Sequence, residues 1–212
     1  MTPSEKIESL QAVAPDVSRE TAEKMLGLES FFLKWAKTIN LVSPTTLNEA
    51  WKRHFLDSAQ LWSWRGETKA WLDLGSGSGF PALVIALLER DSGAKVTLVE
   101  SNVKKSAYLR QAIAALDLDA HVLTRRVEEL EDAVFNVSST TITARAFAPL
   151  DRMLEWTNGL GGASSRALLH KGRGFQAELD DARRRWAFDL VERTSLVDSD
   201  SVILDITAVR RL

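Results

Sequence analysis

Three glycines alternate at Gly75, Gly77 and Gly79, and Asp73 stands two residues before the first of them. Such a run lets backbone approach a ligand where any Cβ would collide. The apolar stretch 70–74 precedes it and reads as a buried strand. Leu83, Ile85, Ala86, Leu87 and Leu88 follow it in a helical pattern. Strand, glycine turn and helix make the first half of a nucleotide-binding βαβ unit. A dinucleotide fingerprint is G-x-G-x-x-G. Here the third glycine comes one residue early, and Phe80 holds the dinucleotide position. The G-x-G-x-G form with its preceding acid suits S-adenosylmethionine, which has an amino-acid tail, a sulfonium and an adenosine but no pyrophosphate. A tight turn with no ligand is the bland alternative, and the strand–turn–helix context weighs against it.

Other chemistry falls at later strand ends, where ligands bind in open α/β sheets. Glu100 ends the second strand, and a carboxylate there can accept both ribose hydroxyl hydrogens; the alternative is a solvated acid. Arg125-Arg126-Val127-Glu128-Glu129 follows the third strand. An acid in that run can take an adenine amino hydrogen while Val127 covers the ring, although charged loops are commonly just solvated. Arg145-Ala-Phe147-Ala-Pro-Leu150 follows the fourth. It lacks the Asp/Asn-Pro-Pro-aromatic turn used to hold exocyclic base amines. The chain also has no cysteine, and carbon-5 pyrimidine methylation usually needs a cysteine nucleophile. What remains is an acceptor already nucleophilic, such as guanine N7, with a free lone pair and no proton. Proximity and orientation then carry the catalysis.

These residues need a scaffold. Helices are expected over 4–13 and from a Ser18 cap through Ile39. A third, capped by Thr46, places Leu47, Ala50, Trp51, His54, Phe55, Ser58, Leu61 and Trp62 on one face. On that helix Arg53 and Asp57 read as a surface i,i+4 pair and His54 as a hydrogen-bonded core histidine. From Lys69 strands and helices alternate: strands over 70–74, 95–100, 120–124, 140–144 and 166–170, with helices over 80–88, 103–116, 150–157 and 175–186. The helix over 103–116 is expected to turn Ala107, Leu109, Ile113 and Leu116 inward. Strands over 190–196 and 202–209, joined at Asp198-Ser-Asp200, close the chain as a hairpin. Five β-then-α units and this hairpin predict a doubly wound α/β sheet of seven mostly parallel strands, one of them antiparallel. Residues 1–66 form a helical extension packed on a domain over 67–212.

The motifs resemble a known family, the bacterial GidB-type enzymes, which methylate guanine N7 in 16S ribosomal RNA of the small subunit. Asn40-Leu41, Arg53-His54-Phe-Leu-Asp57-Ser58, Asp73 to Pro81, Glu100-Ser-Asn-Val-Lys104-Lys105 with Tyr108-Leu109, Arg126-Val127-Glu128-Glu129, Ala144-Arg145-Ala146 and His170-Lys171-Gly172 occur in the family's order. The resemblance covers nearly all of the chain from about Phe32. It implies a Rossmann-like class I methyltransferase fold with an N-terminal helical extension. It further implies contacts to S-adenosylmethionine from Gly75, Phe80, Val127, Glu128 and Arg145, and it places Arg53 and Asp57 near the site. Two departures stand out: Ala82 replaces a glycine after the loop proline, and His170 replaces a leucine before Lys171.

Composition bounds the rest. The chain has 212 residues, 45% of them hydrophobic and 26% charged, with net charge −2. Any contact with 16S RNA or the small ribosomal subunit therefore needs a local basic patch. Lys104, Lys105, Arg110, Arg125, Arg126, Arg145, Lys171 and Arg173 are placed to form one rim and meet phosphates. Arg183-Arg-Arg185 reads as a solvated helix end. Phe147 and Trp156 are candidates to stack a base, with Trp156 the better candidate for burial. No run spans a bilayer and no leader is evident, so a cytoplasmic monomer without membrane or metal contacts is expected. A small-molecule methyltransferase and a non-catalytic RNA-binding protein are the competing readings.

Overall fold

A computed structural model describes residues 1–130, 139–160 and 165–212. Two helices open the chain, α1 (Pro3–Val13) and α2 (Arg19–Ala36). Thr2 caps the first in a reciprocal box with Glu5, and the Ser18 hydroxyl accepts from the Thr21 N–H to cap the second. These side chains satisfy backbone donors that a helix start leaves unpaired.

The expected third helix is instead three pieces: a 3-10 segment (Pro44–Glu49), a π-helical turn (Trp51–Leu56) and α3 (Asp57–Ser63). Thr46 is not its cap, since its hydroxyl donates to the Ser43 carbonyl within the 3-10 segment. In the π turn the N–H of Asp57 reaches back to the carbonyls of His54 and Lys52. The wider winding shifts the i,i+4 alignment, so Arg53 and Asp57 do not pair. Arg53 instead faces Glu49 at 3.7 Å.

Strands and helices then alternate. In order they are β1 (Ala70–Leu74), α4 (Ala82–Leu88), β2 (Lys95–Val99), α5 (Val103–Leu116), β3 (Ala120–Leu123), β4 (Thr140–Arg145), α6 (Leu150–Leu160), β5 (Arg166–Lys171), α7 (Phe175–Ala182), β6 (Trp186–Thr194) and β7 (Val202–Arg211). After β3 comes a 3-10 turn at Val127–Glu129, so four β-then-α units, not five, stand among the described residues. The helix expected to reach Trp186 stops at Ala182. The Trp186 indole is buried and donates to Asp151, and its backbone pairs with Arg211 as the start of β6. Tertiary pairing overrides a helical spacing that Phe175, Leu179, Ala182 and Trp186 also satisfy. On α5 the buried face carries Ser106, Tyr108, Leu109 and Ala112, while Ala107 is exposed and Ile113 and Leu116 are half-buried.

The seven strands form one sheet in the order β3-β2-β1-β4-β5-β7-β6. All neighbours are parallel except β7, which runs antiparallel to β5 and to β6. Alternation along each strand feeds two apolar cores. Trp71, Leu98, Val122, Leu168 and Ile203 face one core, which continues without a break into α1 to α5. Leu72, Leu74, Ile142, Leu169 and Leu204 face the other, under α6 and α7. At the sheet end away from the glycine turn, buried Asp205 on β7 takes charge-assisted bonds of 2.6–2.9 Å from Arg166 on β5 and Arg193 on β6. Burial pushes its carboxyl up, but these bonds outweigh that and hold it below the usual range. Such bidentate pairs fix register as well as adding energy. Among the described residues no helix is long and apolar enough to cross a membrane.

Candidate active site

Two cavities open at the carboxyl ends of the central strands. The smaller, about 540 Å³, lies over the glycine turn. Gly75 and Gly77 line it with φ of +69° and +51°. Phe80, Glu100, Val127, Glu128 and Arg145, also expected at the cofactor, line it with them. Glu100 is buried, and its two oxygens accept from the N–H of Gly77 at 2.8 Å and of Asn102 at 2.7 Å. A carboxylate has about four acceptor positions, so each oxygen keeps one lone pair for a ribose hydroxyl. Positive-φ glycines bare their backbone to an amino-acid tail, and buried Val127 offers an apolar wall for a purine. These residues fit S-adenosylmethionine.

Two residues expected at the cofactor do not line this cavity. Asp73 is buried behind it, and its Oδ1 accepts from the Thr143 hydroxyl at 2.7 Å. Its Oδ2 has no hydrogen-bond partner among the described residues. Burial pushes the Asp73 carboxyl up to about 6, against bonds from Ser76 and Thr143 and the charge of Arg145, which pull the other way. Gly79 answers to packing: a Cβ there would fall 2.4 Å from Leu83 Cδ1, where α4 folds back on the turn.

The larger cavity, about 1170 Å³, lies beside the first between β4, β5 and the β6–β7 turn. Asp57 is its hub. Its Oδ2 lies 3.6 Å from the Arg145 guanidinium and 3.5 Å from His170 Nε2. Its Oδ1 accepts from Gln60 at 2.8 Å, and its carbonyl bonds His170 Nε2 at 2.9 Å. Gln60 in turn accepts from the Leu196 N–H in the β6–β7 turn. Burial pushes both the Arg145 guanidinium and the His170 ring down from their ordinary values, while Asp57 opposes the shift. Arg145 stays a cation, as guanidinium does in proteins. The sequence pattern pairs Asp57 with Arg53 on the surface, and the resemblance places both near the site; its partners are instead Gln60 on α3, Arg145 on β4 and His170 on β5.

Thr46, His54, Arg145, Ala146 and Phe147 line both cavities and form the partition between them. His54 stacks on Phe80 at 5.1 Å and meets Phe32 edge-on. It is a core histidine as expected, but neither ring nitrogen has a hydrogen-bond partner among the described residues. Burial, with the charges of Arg145 and Arg53, pushes its pKa down to about 3, so it is neutral near neutrality. Phe147, which sequence offered as a stacking residue, lies against Gly75 and against half-buried Trp156.

The expected basic rim is divided. Lys105, Arg125 and Arg126 line the smaller cavity, and Lys52, Arg53 and Lys171 the larger. Lys104 is exposed and lines neither. Arg110 is turned onto the Val122 carbonyl and the Thr124 hydroxyl. Lys171 is paired with Glu178 at 2.7 Å, and exposed Arg173 is paired with Asp200. Arg183 to Arg185 are exposed at the end of α7. No group of three or more His, Asp or Glu that would hold a metal ion occurs among the described residues.

A glycine turn after β1, an acid after β2 and one reversed strand in a seven-stranded sheet define a Rossmann-like methyltransferase. Solved structures share that fold. An S-adenosylmethionine-dependent methyltransferase from Aquifex aeolicus matches with TM-score 0.59 at 14% identity, covering 82% of this chain and 97% of that one. A TehB-like one from Corynebacterium glutamicum matches with TM-score 0.53 at 16% identity, over 72% and 87%. The family described as GidB, rRNA small subunit methyltransferase G, matches residues 21–206, and the chain belongs to it. The ribosomal RNA small subunit methyltransferase G of Brucella anthropi is 44% identical over 100% of this chain and 99% of its own. That of Brucella canis is 43% identical over 97% and 96%.

Proposed function

We propose that this protein transfers a methyl group from S-adenosylmethionine to N7 of a guanine in 16S ribosomal RNA of the small subunit. The observation that carries this reading is the partition, where a cofactor-sized cavity over the glycine turn meets a larger one at Arg145. When bound in the smaller cavity, S-adenosylmethionine supplies a methyl group activated by a positively charged sulfonium. The N7 lone pair forms the new N–C bond, the C–S bond breaks with its electrons staying on sulfur, and the positive charge passes to the base. No proton moves, so no residue has to act as a base.

The chain's own residues bind and orient. Arginine commonly takes guanine by O6 and N7 together. With N7 committed to reaction, O6 remains for Arg145, whose Nη1 is held by the Arg53 carbonyl at 2.9 Å. Asp57 keeps that guanidinium in place. The target base leaves its stack to enter the larger cavity. Lys105, Arg125, Arg126, Lys52 and Arg53 meet phosphates around the two mouths. The protein works as a cytoplasmic monomer, with residues 1–66 buttressing the partition.

The test is methyl incorporation into subunits and free 16S RNA from cells lacking the gene, with the modified nucleotide mapped in both. No incorporation by protein that binds S-adenosylmethionine removes the reading. One observation favours a small-molecule acceptor instead: Glu49, Asp57, Glu178, Asp198 and Asp200 all line the larger cavity, where a phosphate would meet like charge. Methylation of subunits at a single nucleotide would exclude it.

A further inference from the structure

Phe147 holds an unusual place for a large aromatic. Its residue surface is 40% exposed, and it is the one aromatic among the large exposed apolar residues described. Yet its ring is fixed. A Cβ built on Gly75 would fall 2.1 Å from Phe147 Cδ2, so the ring rests on the bare Cα of the first glycine. The Trp156 ring stacks with it at 5.4 Å and 28°, and the Arg152 guanidinium lies over Trp156 in turn. Ala146, just before it, sits at φ +49°, a left-handed conformation that non-glycine residues seldom adopt. Strain of this kind persists where the surroundings over-determine it, and it gathers at functional sites. Phe147 also lines both cavities.

We propose that Phe147 is the residue against which the acceptor guanine stacks, with Trp156 backing its ring. This rests on the guanine reading above. A base drawn out of its helix loses two stacking neighbours, and an aromatic face replaces one of them. The ring stands beside Gly75, so a base stacked on it lies next to the donor cavity. Hydrogen bonding from Arg145 then selects guanine, and the ring holds its plane. The ring also acts on the reaction itself. Positive charge develops on the base as the N–C bond forms, and an aromatic face attracts a cation more strongly than a neutral ring. The stack therefore tightens towards the transition state, which raises kcat more than it lowers KM.

The experiment compares the parent with Phe147→Leu, Phe147→Ala and Phe147→Tyr. It measures single-turnover methyl transfer to unmethylated small subunits, half-saturation by subunits, calorimetric affinity for S-adenosylmethionine, and thermal midpoint. Stacking predicts that Phe147→Leu lowers the transfer rate about 10- to 100-fold while Phe147→Tyr stays near the parent. Cofactor affinity and half-saturation should move far less than the rate. Equal rates for Phe147→Leu and the parent would overturn the proposal. So would a loss of cofactor affinity matching the loss of rate, since the ring would then only brace the glycine turn. Should Phe147→Ala fail to fold, the Leu and Tyr pair decides the matter. A parent that binds cofactor but methylates no subunit fails the guanine reading, and this proposal with it. An active parent with an equally active Phe147→Leu fails this proposal alone.

Discussion

The Arg145 guanidinium donates to the main-chain carbonyl of Arg53 at 2.9 Å, hooking the end of β4 onto the π-helical turn before α3. The same Nη1 lies 3.6 Å from Asp57 Oδ2, and both side chains are largely buried, at 18% and 14% exposure. A lysine has one compact charge in place of a planar fork and cannot hold carbonyl, carboxylate and base together. Arg145→Lys should therefore lower methyl transfer about 100-fold, with a loss of thermal stability of a few degrees, since a partly buried carboxylate loses its partner. Methyl incorporation and thermal melts check this. Full activity in the variant would remove Arg145 from the orienting role.

Gly75 and Gly77 should respond differently to alanine. Both have positive φ, so each substitution strains the backbone by about 1 kcal/mol. At Gly77 the added Cβ meets nothing closer than 3.7 Å, whereas at Gly75 it overlaps the Phe147 ring at 2.1 Å. Gly75→Ala should cost cofactor affinity about tenfold or more beyond Gly77→Ala. Calorimetry of both, with Gly75→Ala repeated in a Phe147→Ala background, tests the cause. Relief of the defect in the double variant is the expected result.

The Asp73 carboxyl, pushed by burial to about 6 from an ordinary 3.8, makes stability depend on pH. Between those values the folded chain holds a proton that the unfolded chain has released. Its contribution is complete below pH 3.8 and is lost as pH rises through about 6. Asp73→Asn carries no such proton. From about pH 4 to about pH 8 the variant should gain roughly 3 kcal/mol on the parent. Urea unfolding of both proteins at several pH values measures the difference. A gain that shrank as pH rose would mean that Arg145 stabilises an ionised Asp73.

Lys171 and Glu178 join β5 to α7, and the same Glu178 oxygen caps α6 by accepting from the Leu150 N–H at 2.7 Å. Burial pushes the Glu178 carboxyl up, but these two bonds hold it below the usual range. Lys171→Ala should lower stability by about 1 kcal/mol, and Glu178→Ala by somewhat more through the lost cap. Thermal unfolding without RNA decides it. An unchanged midpoint for Lys171→Ala would return that lysine to the role of a phosphate contact.

The sheet was readable in the sequence because each buried strand is a short apolar run and each helix carries a 3.6-residue stripe. Glu100 and Val127 were readable because strand ends are fixed points in such a sheet. Asp57 was placed near the site only by motif, because its partners come from β4, β5 and α3. The π turn left no mark, since Trp51, His54, Phe55 and Ser58 fit an ordinary helix equally well. Asp73 and Gly79 were expected at the cofactor, and neither lines the smaller cavity: Asp73 accepts from Thr143 on β4, and Gly79 leaves room for Leu83 on α4, long-range and packing contacts that the glycine spacing does not report. Phe147 on Gly75 joins residues 72 positions apart, beyond the reach of any local pattern.

β7 follows every other strand in the chain, yet it lies between β5 and β6. The residues lining the smaller cavity all fall within 41–147, while the larger one also draws on 148–201. On the proposed division of the site, every group assigned to the methyl donor precedes in the chain the segment that completes the acceptor cavity, and the edge of β5 that carries His170 and Lys171 is covered by β7, the last strand of all.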